Sequence, residues 1–521
     1  MLARLAPWTA FMLAAVFAVG HNYYIQQTFW MPDDAYISMR YAENFAAGKG
    51  LVYNEGERVE GYTTFLWVVL LGGGAFVGLD LEALAQAIGI TFSLGALFLV
   101  SRAHRFAPGL SPWSSALAVL MMGTCGVFTT WLMAGMETPL VAFWCVLAVL
   151  LNEQVRAQPR APGLLVLLGV CCALAAMTRP NMGLVFVVLL LDRFIDAVRT
   201  RNASFLLFPL TFGALFGAYF LWRYTYYGFL LPNTFYVKVG GTWAQAMRGM
   251  DYTGRFLGAT FFIAASALAA YLIPKRAFGA PGLRRVLLTL LTVHAAYVVI
   301  VGGDFMPSFR FFASVFPLLA LLAAMSVAAM RPHAAVALIF VALALAHNGM
   351  MLVSHRDIGD RAGKGNVGRY GKRVGLWLRE HAPPDALLAT NTAGSIPFFS
   401  KLPAIDMLGL CDAVIAHRDL PVGRGTPGHE KGDGRYVLSR KPDYIQFGSA
   451  SGSVRPVFRG DREIFQAAEF KRDYVSRTYA IGGGGVVRLY VRKPAAGGKP
   501  LSAVSSEETA ARKKEVWKPS G

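Results

Sequence analysis

Six acids, Asp33, Asp34, Glu43, Glu55, Glu57 and Glu60, crowd into residues 31–67 of a chain that is otherwise mostly apolar. The adjacent pair has chemistry to offer. One carboxylate takes a proton from a hydroxyl in a transition state, while its neighbour raises that group's basicity, orients the acceptor or holds a divalent cation. The pair also has a plain structural reading. Pro32 precedes it, and Ile37, Tyr41 and Phe45 recur every four residues, so the spacing predicts a short amphipathic helix at a membrane surface. One Asp then caps that helix and a second acid in its first turn is favoured by the dipole. Which reading holds depends on what the rest of the chain brings to the pair.

Composition says what positions it. Of 521 residues, 55% are hydrophobic and 16% charged, and mean hydropathy is +0.44, which is the profile of a polytopic membrane protein. The net charge of +19 fits cations flanking membrane spans; no basic stretch is interleaved with base-stacking aromatics, so nucleic acid is not the expected partner. Four cysteines lie in apolar runs and Cys411 stands alone, which leaves no disulfide framework and no CxxC metal site. The N-terminus reads as an uncleaved first span.

Apolar runs near 8–28, 62–79, 82–100, 112–130, 137–151, 162–177, 182–195, 204–222, 256–273, 284–302, 309–330 and 333–353 are candidates to cross a core of about 30 Å. The run 62–79 follows the acids directly and contains Gly72-Gly73-Gly74. If it lies on the surface, one set of loops carries thirteen Lys and Arg against three acids, and the other nine against eleven. Short cytoplasmic loops are enriched in cations, so the expected topology has eleven spans, the N-terminus inside and 62–79 as a juxtamembrane segment outside.

That topology gathers the polar motifs on one face. "PDDAY" (32–36), "EGY" (60–62), "GMETPL" (135–140), "TRPN" (178–181), "LPNTFYVK" (231–238) and "GGDFMPSFR" (302–310) come from five outer loops, and a single site at the outer surface is the economical explanation. Candidate residues besides the pair are Arg40, Glu60, Tyr62, Glu137, Arg179, Asn233, Lys238, Asp304 and Arg310. Six of these have a structural alternative. Glu137 starts a helix ahead of Pro139, Arg179 anchors at the interface, Asn233 makes a turn, Lys238 snorkels, and Asp304 pairs with Arg310. Arginines and Lys238 could equally hold an anionic leaving group such as a phosphate. A base on one side and a phosphate clamp on the other describe glycosyl transfer from a lipid phosphate.

From about 354 the chain turns polar, with 28 Lys and Arg and 17 acids to its end. Residues 366–381 predict a helix, "ALLAT", "DYIQF" and "GGGVVRLYVRK" predict strands, and together they suggest a small α/β cap over 354–493 on the outer side. Residues 494–521 are Pro-, Gly- and Ser-rich and read as a disordered tail. His417 and His429 lack metal-ligand spacing; a solvated loop is the simpler account, with His429 kept as a candidate for substrate binding.

The motifs "DDAYISMRYAENFAAGKGLVYNEGERVEGYTTFLW", "GMETPL", "TRP", "LPNTFYVK", "GGDFMPSFRFF" and "IDMLGLCDAVIAH" resemble the GT-C superfamily of polyprenyl-phosphate-sugar-dependent glycosyltransferases. Within it they are most similar to the terminal β-(1→2)-arabinofuranosyltransferases of cell-wall arabinan and to relatives named for flagellar motor control. The resemblance runs from about 30 to about 490. It implies a GT-C fold over 1–353, a polyprenyl-phosphate sugar donor, an envelope glycan acceptor, and Asp33 and Asp34 as counterparts of the catalytic pair. It also implies an inverting transfer at the outer face of a bacterial inner membrane; it does not fix the sugar, for which arabinofuranose or a similar pentose is the expectation. No cofactor is fixed by it beyond a possible divalent cation. Where the resemblance calls for Glu after "TRP" and Asn after "EGYT", this chain has Asn181 and Thr64. Two other classes fit the composition: a transporter of lipid-linked sugars, whose ionisable groups belong near mid-membrane, and a motility-linked membrane scaffold.

Overall fold

The computed structural model describes residues 2–28, 31–330, 342–349 and 366–494. The expected tail from 495 on, and most of the expected span 333–353, lie outside the described residues. Leu5–Ile25, Leu81–Phe106, Thr138–Ala157, Ala203–Tyr227 and Pro281–Val301 are long and apolar enough to cross a membrane. Pro307–Ala313 and Phe316–Ala329 form a further pair bent by 75°. Pro317 near the start of the second helix explains the break, because its ring cannot pack against a helical carbonyl four residues earlier.

Phe65–Phe76 has only 12 residues, about 18 Å at the helical rise and short of the hydrocarbon core. It packs against Asp33–Ala46. The glycines make this possible. A Cβ on Gly72 would sit 2.7 Å from the Phe45 ring, so the two helices approach where a side chain would separate them.

Asp33–Ala46 is the expected helix, with two differences. Pro32 holds the N-cap position and no side chain caps the helix, so neither Asp acts as a cap. All of Ala35–Ala42 is buried, so the helix is not a surface amphipath. Its polar side is covered by the C-terminal domain.

That domain contains a five-stranded sheet of order β2-β1-β3-β5-β4, with β1 Leu388–Thr390, β2 Ala404–Asp406, β3 Tyr444–Gln446, β4 Tyr474–Ile481 and β5 Gly485–Arg492. β1, β2 and β3 are parallel, while β5 is antiparallel to β3 and to β4. Alternate residues feed two cores: Leu388, Tyr444 and Leu489 pack with Val374 and Leu378 of helix Val367–His381, and Ala389, Ile445 and Tyr490 pack with Ile415, Val437 and Phe470 on the other face. The chain leaves β1 for β2 on one side and later crosses to β3 on the other. The carboxyl end of β1 is therefore a topological switch point, where a sheet of this kind opens a crevice. The loop that follows it meets Asp33.

Candidate active site

Asp33 and Asp34 leave the same helical turn in different company. Gly394 N–H donates to Asp33 Oδ2 at 2.9 Å and Ser395 N–H to Asp33 Oδ1 at 2.7 Å, while the Ser395 hydroxyl donates to the same Oδ1. Both carboxylate oxygens are thus engaged by the cap. Burial pushes the Asp33 carboxyl above the usual carboxylate range despite these donors. Asp34 Oδ2 instead lies 3.8 Å from Arg310 Nη1, and Asp34 lines two cavities.

The larger cavity, of about 480 Å³, brings together Asp34, Tyr62, Glu137, Arg179, Lys238, Asp304 and Arg310. Each arrives from an element end. Glu137 precedes helix Thr138–Ala157, Arg179 follows Pro162–Thr178, Lys238 ends Asn233–Lys238, Asp304 lies in the loop after Pro281–Val301, and Arg310 starts the helical turn Arg310–Ala313. The smaller cavity, of about 270 Å³, lies between the first-loop helix and the cap and is lined by Asp33, Asp34, Lys238, Phe305, Asn391 and His429 among others. Asp34 and Lys238 are in the wall common to both.

Most of the cavity's charge is already paired. Arg310 holds Asp304 in a fork, Nε–Oδ2 2.6 Å and Nη2–Oδ1 3.2 Å, and Arg179 Nη1 is 3.5 Å from Glu137 Oε1. Burial pushes Asp304 up, but Arg310 and Lys238 hold it below the usual carboxylate range. Among the described residues no carboxylate oxygen comes within 4.0 Å of Lys238 Nζ. Burial pulls the Lys238 ammonium below its ordinary value, and Asp34 pulls it back up. Lys238 is the cation best placed to take a new anionic partner.

Arg310 is held by a strained backbone. Ser308 (φ 52°) and Phe309 (φ 51°) are left-handed, which costs about 1–3 kcal/mol each for residues other than glycine. The Trp131 indole N–H donates to Ser308 O at 3.3 Å, the Ser308 hydroxyl donates to Thr130 Oγ1 at 3.1 Å, and Phe309 packs edge-on to Tyr252 and Phe256. The turn aims Arg310 back into the cavity.

Three expected site residues do not reach either cavity. Arg40 is buried and donates to the carbonyls of Tyr53, Pro397 and Leu402 and to Asn54, so it staples the first loop to the cap. Asn233 donates to the carbonyls of Gly409, Leu410 and Asp412, which makes the "IDMLGLCD" loop a docking surface. Glu60 forms a buried ion pair with Arg223. Replacing Glu60 alone by Met strands the Arg223 charge and is expected to cost about 3–5 kcal/mol, whereas replacing both by Met costs less than either single change. Thermal unfolding in detergent checks this; equal losses for the single and double variants would show that the pair is not the cause.

His429 is in the smaller cavity, its ring packed on Phe305 and Phe458, and burial holds its pKa below the ordinary value. His417 stacks on Tyr236 and Phe229, a packing role. Thr64, Asn181 and Tyr297 line the larger cavity, and Asn366 and Asn391 the smaller; apart from the departures at 64 and 181, nothing in their spacing marked them. Among the described residues no group of three or more His, Cys, Asp and Glu is placed to hold a metal ion. Both Asp33 oxygens face N–H and O–H donors, so of the acidic pair it is Asp34 that is open to a cavity cation.

Comparisons with known proteins bear on this arrangement. Residues 361–490 match a family described as a domain of unknown function, DUF8728. The chain is 30% identical over 272 residues to the terminal beta-(1->2)-arabinofuranosyltransferase of Mycobacterium tuberculosis, covering 49% of this chain and 42% of that protein. It is 29% identical over 320 residues to the enzyme of that name from Corynebacterium glutamicum, covering 53% and 45%. The chain thus spans less than half the length of these curated relatives. Among solved structures, ArnT from Cupriavidus metallidurans bound to undecaprenyl phosphate superposes with a TM-score of 0.59 at 13% identity, over 95% of this chain and 99% of ArnT. The mycobacterial arabinofuranosyltransferase AftD gives 0.52 at 13% identity, over 95% of this chain and 40% of AftD. The chain shares the fold of these two structures, and its long apolar helices are of the kind that cross a membrane, as the motifs led one to expect.

Proposed function

We propose that this chain is a membrane glycosyltransferase that moves a sugar, arabinofuranose or a similar pentose, from a polyprenyl-phosphate donor to an envelope glycan. The observation that carries it is the wall shared by two cavities, where a carboxylate, Asp34, stands beside an unpaired cation, Lys238. The donor phosphate sits in the larger cavity on Lys238, Arg179 and Arg310. The acceptor hydroxyl reaches the anomeric carbon from the smaller cavity. Asp34 takes the hydroxyl proton as the new C–O bond forms, the old bond's electron pair leaves with the phosphate, and attack from the opposite side inverts the anomeric centre.

The charge sits at one end of the bundle rather than at its middle, which favours transfer over transport of a lipid-linked sugar. Helix Thr138–Ala157 starts next to Glu137 and ends beside Arg156, about 30 Å away, where Arg156 and Arg193 bond Asp192 and Asp196. Assigning that basic end to the cytoplasm puts the acidic pair and the cap outside.

Two measurements test the reading. The purified protein is expected to transfer radiolabelled pentose from a synthetic polyprenyl-phosphate donor to an arabinan oligosaccharide; no product with any pentose or hexose donor would sink it. All five native cysteines are buried, so a Ser476→Cys variant, exposed on β4, reports the side of the cap. A membrane-impermeant maleimide is expected to label it in intact spheroplasts. Labelling only after permeabilisation would place the site on the inner face.

A further inference from the structure

We infer that the cap domain is a working half of the active site: its switch-point loop, through Gly394 and Ser395, captures Asp33 and thereby sets the first turn that carries Asp34. Asp33 is a positioning residue and not the base. The inference rests on the reading of Asp34 as the residue that meets substrate, and it assigns a role to a domain whose family has none described.

Three observations converge. First, the two Asp33 oxygens accept three hydrogen bonds from two consecutive cap residues that lie 361 and 362 positions away in sequence. A base needs a free lone pair pointed at its substrate; Asp34 borders both cavities, whereas Asp33 borders only the smaller and has both oxygens engaged by the cap. Second, the fit leaves no room for a side chain. A Cβ on Gly394 would lie 1.9 Å from the Asp33 carbonyl oxygen and 2.7 Å from its carbon, a clash with backbone that cannot be relieved by a rotamer. Third, the loop is anchored at both of its ends. It leaves β1, the central parallel strand, between Thr390, whose hydroxyl donates to Gln446 at 2.7 Å, and helix Ser395–Ser400, which packs on Asp33–Ala46. Arg40, seven residues on and so about two turns along the same face of the first-loop helix, repeats the grip on Pro397 and Leu402. That face is therefore held at two points by the cap, and Asp34 projects beside the first of them. A carboxylate held by charge-assisted bonds at both oxygens fixes the helix's rotation as well as its position.

The test uses the full chain in lipid and compares Ser395→Ala, Asp33→Asn and the double variant, with amide hydrogen exchange at Gly394 and Ser395 measured without substrate. Asn offers an N–H where Gly394 N–H needs an acceptor, so Asp33→Asn breaks the latch while keeping shape. Expected are faster exchange at both amides in either single variant, and a several-fold lower kcat with donor KM unchanged. The double variant should be no slower than Asp33→Asn alone, because the two changes remove one interaction. The acid limb of the pH–rate profile should stay where it is in wild type. Wild-type exchange in both variants overturns the latch whether or not sugar transfer is ever observed. Faster exchange with no transfer by any form, wild type included, upholds the latch and removes the functional reading instead. Loss of the acid limb in Asp33→Asn, with Ser395→Ala unaffected, makes Asp33 the base and overturns its positioning role.

Discussion

Asp34→Asn is expected to lower sugar transfer by about 10²–10⁴-fold while the protein still folds, inserts and binds donor. The change keeps shape and removes the proton acceptor. Asp34 caps no helix, and its nearest cation, Arg310, keeps its bidentate partner Asp304, so little else in the fold depends on its charge. Turnover with a saturating donor, beside donor binding in the same preparation, is the measurement. Near wild-type turnover would show that the base lies elsewhere. The contrast with Asp33→Asn is the sharper result: a partial loss there and a near-complete loss here separate the residue that holds the helix from the one that meets the acceptor.

Lys238→Met is expected to weaken polyprenyl-phosphate binding by roughly 10- to 150-fold, the equivalent of one charge-assisted hydrogen bond of about 1.5–3 kcal/mol. The three proposed clamp cations differ in what their loss exposes. Removing Arg310 leaves Asp304 buried without its fork, and removing Arg179 leaves Glu137 without its partner, so both variants carry a stability cost that obscures binding. Lys238 has no such partner among the described residues, and its removal also relieves a desolvated charge. Titration of the detergent-solubilised protein with polyprenyl phosphate should therefore show lost affinity without a lower melting temperature. Unchanged affinity for the Lys238 variant would move the phosphate away from the shared wall.

Much of this was legible in the chain, for identifiable reasons. The order of apolar runs and the bias of cations marked which loops share a face, because burial of charge in lipid is costly and spans must alternate sides. Glu137, Arg179, Lys238, Asp304 and Arg310 stand at the ends of helices, where an isolated polar residue in apolar surroundings is conspicuous. The cap's helix Val367–His381, with its N-cap Asn366, and strands β1, β3 and β5 followed from periodicity and turn residues. β2 and β4 escaped notice: "AID" is three residues long, and "YVSRTYAI" is an edge strand whose middle is exposed. Arg40, Glu60 and Asn233 looked like site residues for the same reason that Lys238 did, since each is a polar group in one of the loops expected to share a face. Nothing local distinguishes a side chain that will face a cavity from one that will find Pro397, Arg223 or Gly409 across the interface.

The sequence by itself determined the class of the protein, the membrane-edge location of its polar residues and the acidic pair as the place to look. These are properties of composition and short-range pattern, set by transfer of side chains between lipid, water and interface. Only the tertiary structure gave Asp33 and Asp34 different surroundings. The two are neighbours in one helical turn with the same chemistry, and a rotation of about 100° between them engages one with the amides of Gly394 and Ser395 and places the other on the larger cavity, while both border the smaller. What separates them is a contact with residues more than 360 positions away, and no local pattern encodes which of two adjacent carboxylates a distant loop will take.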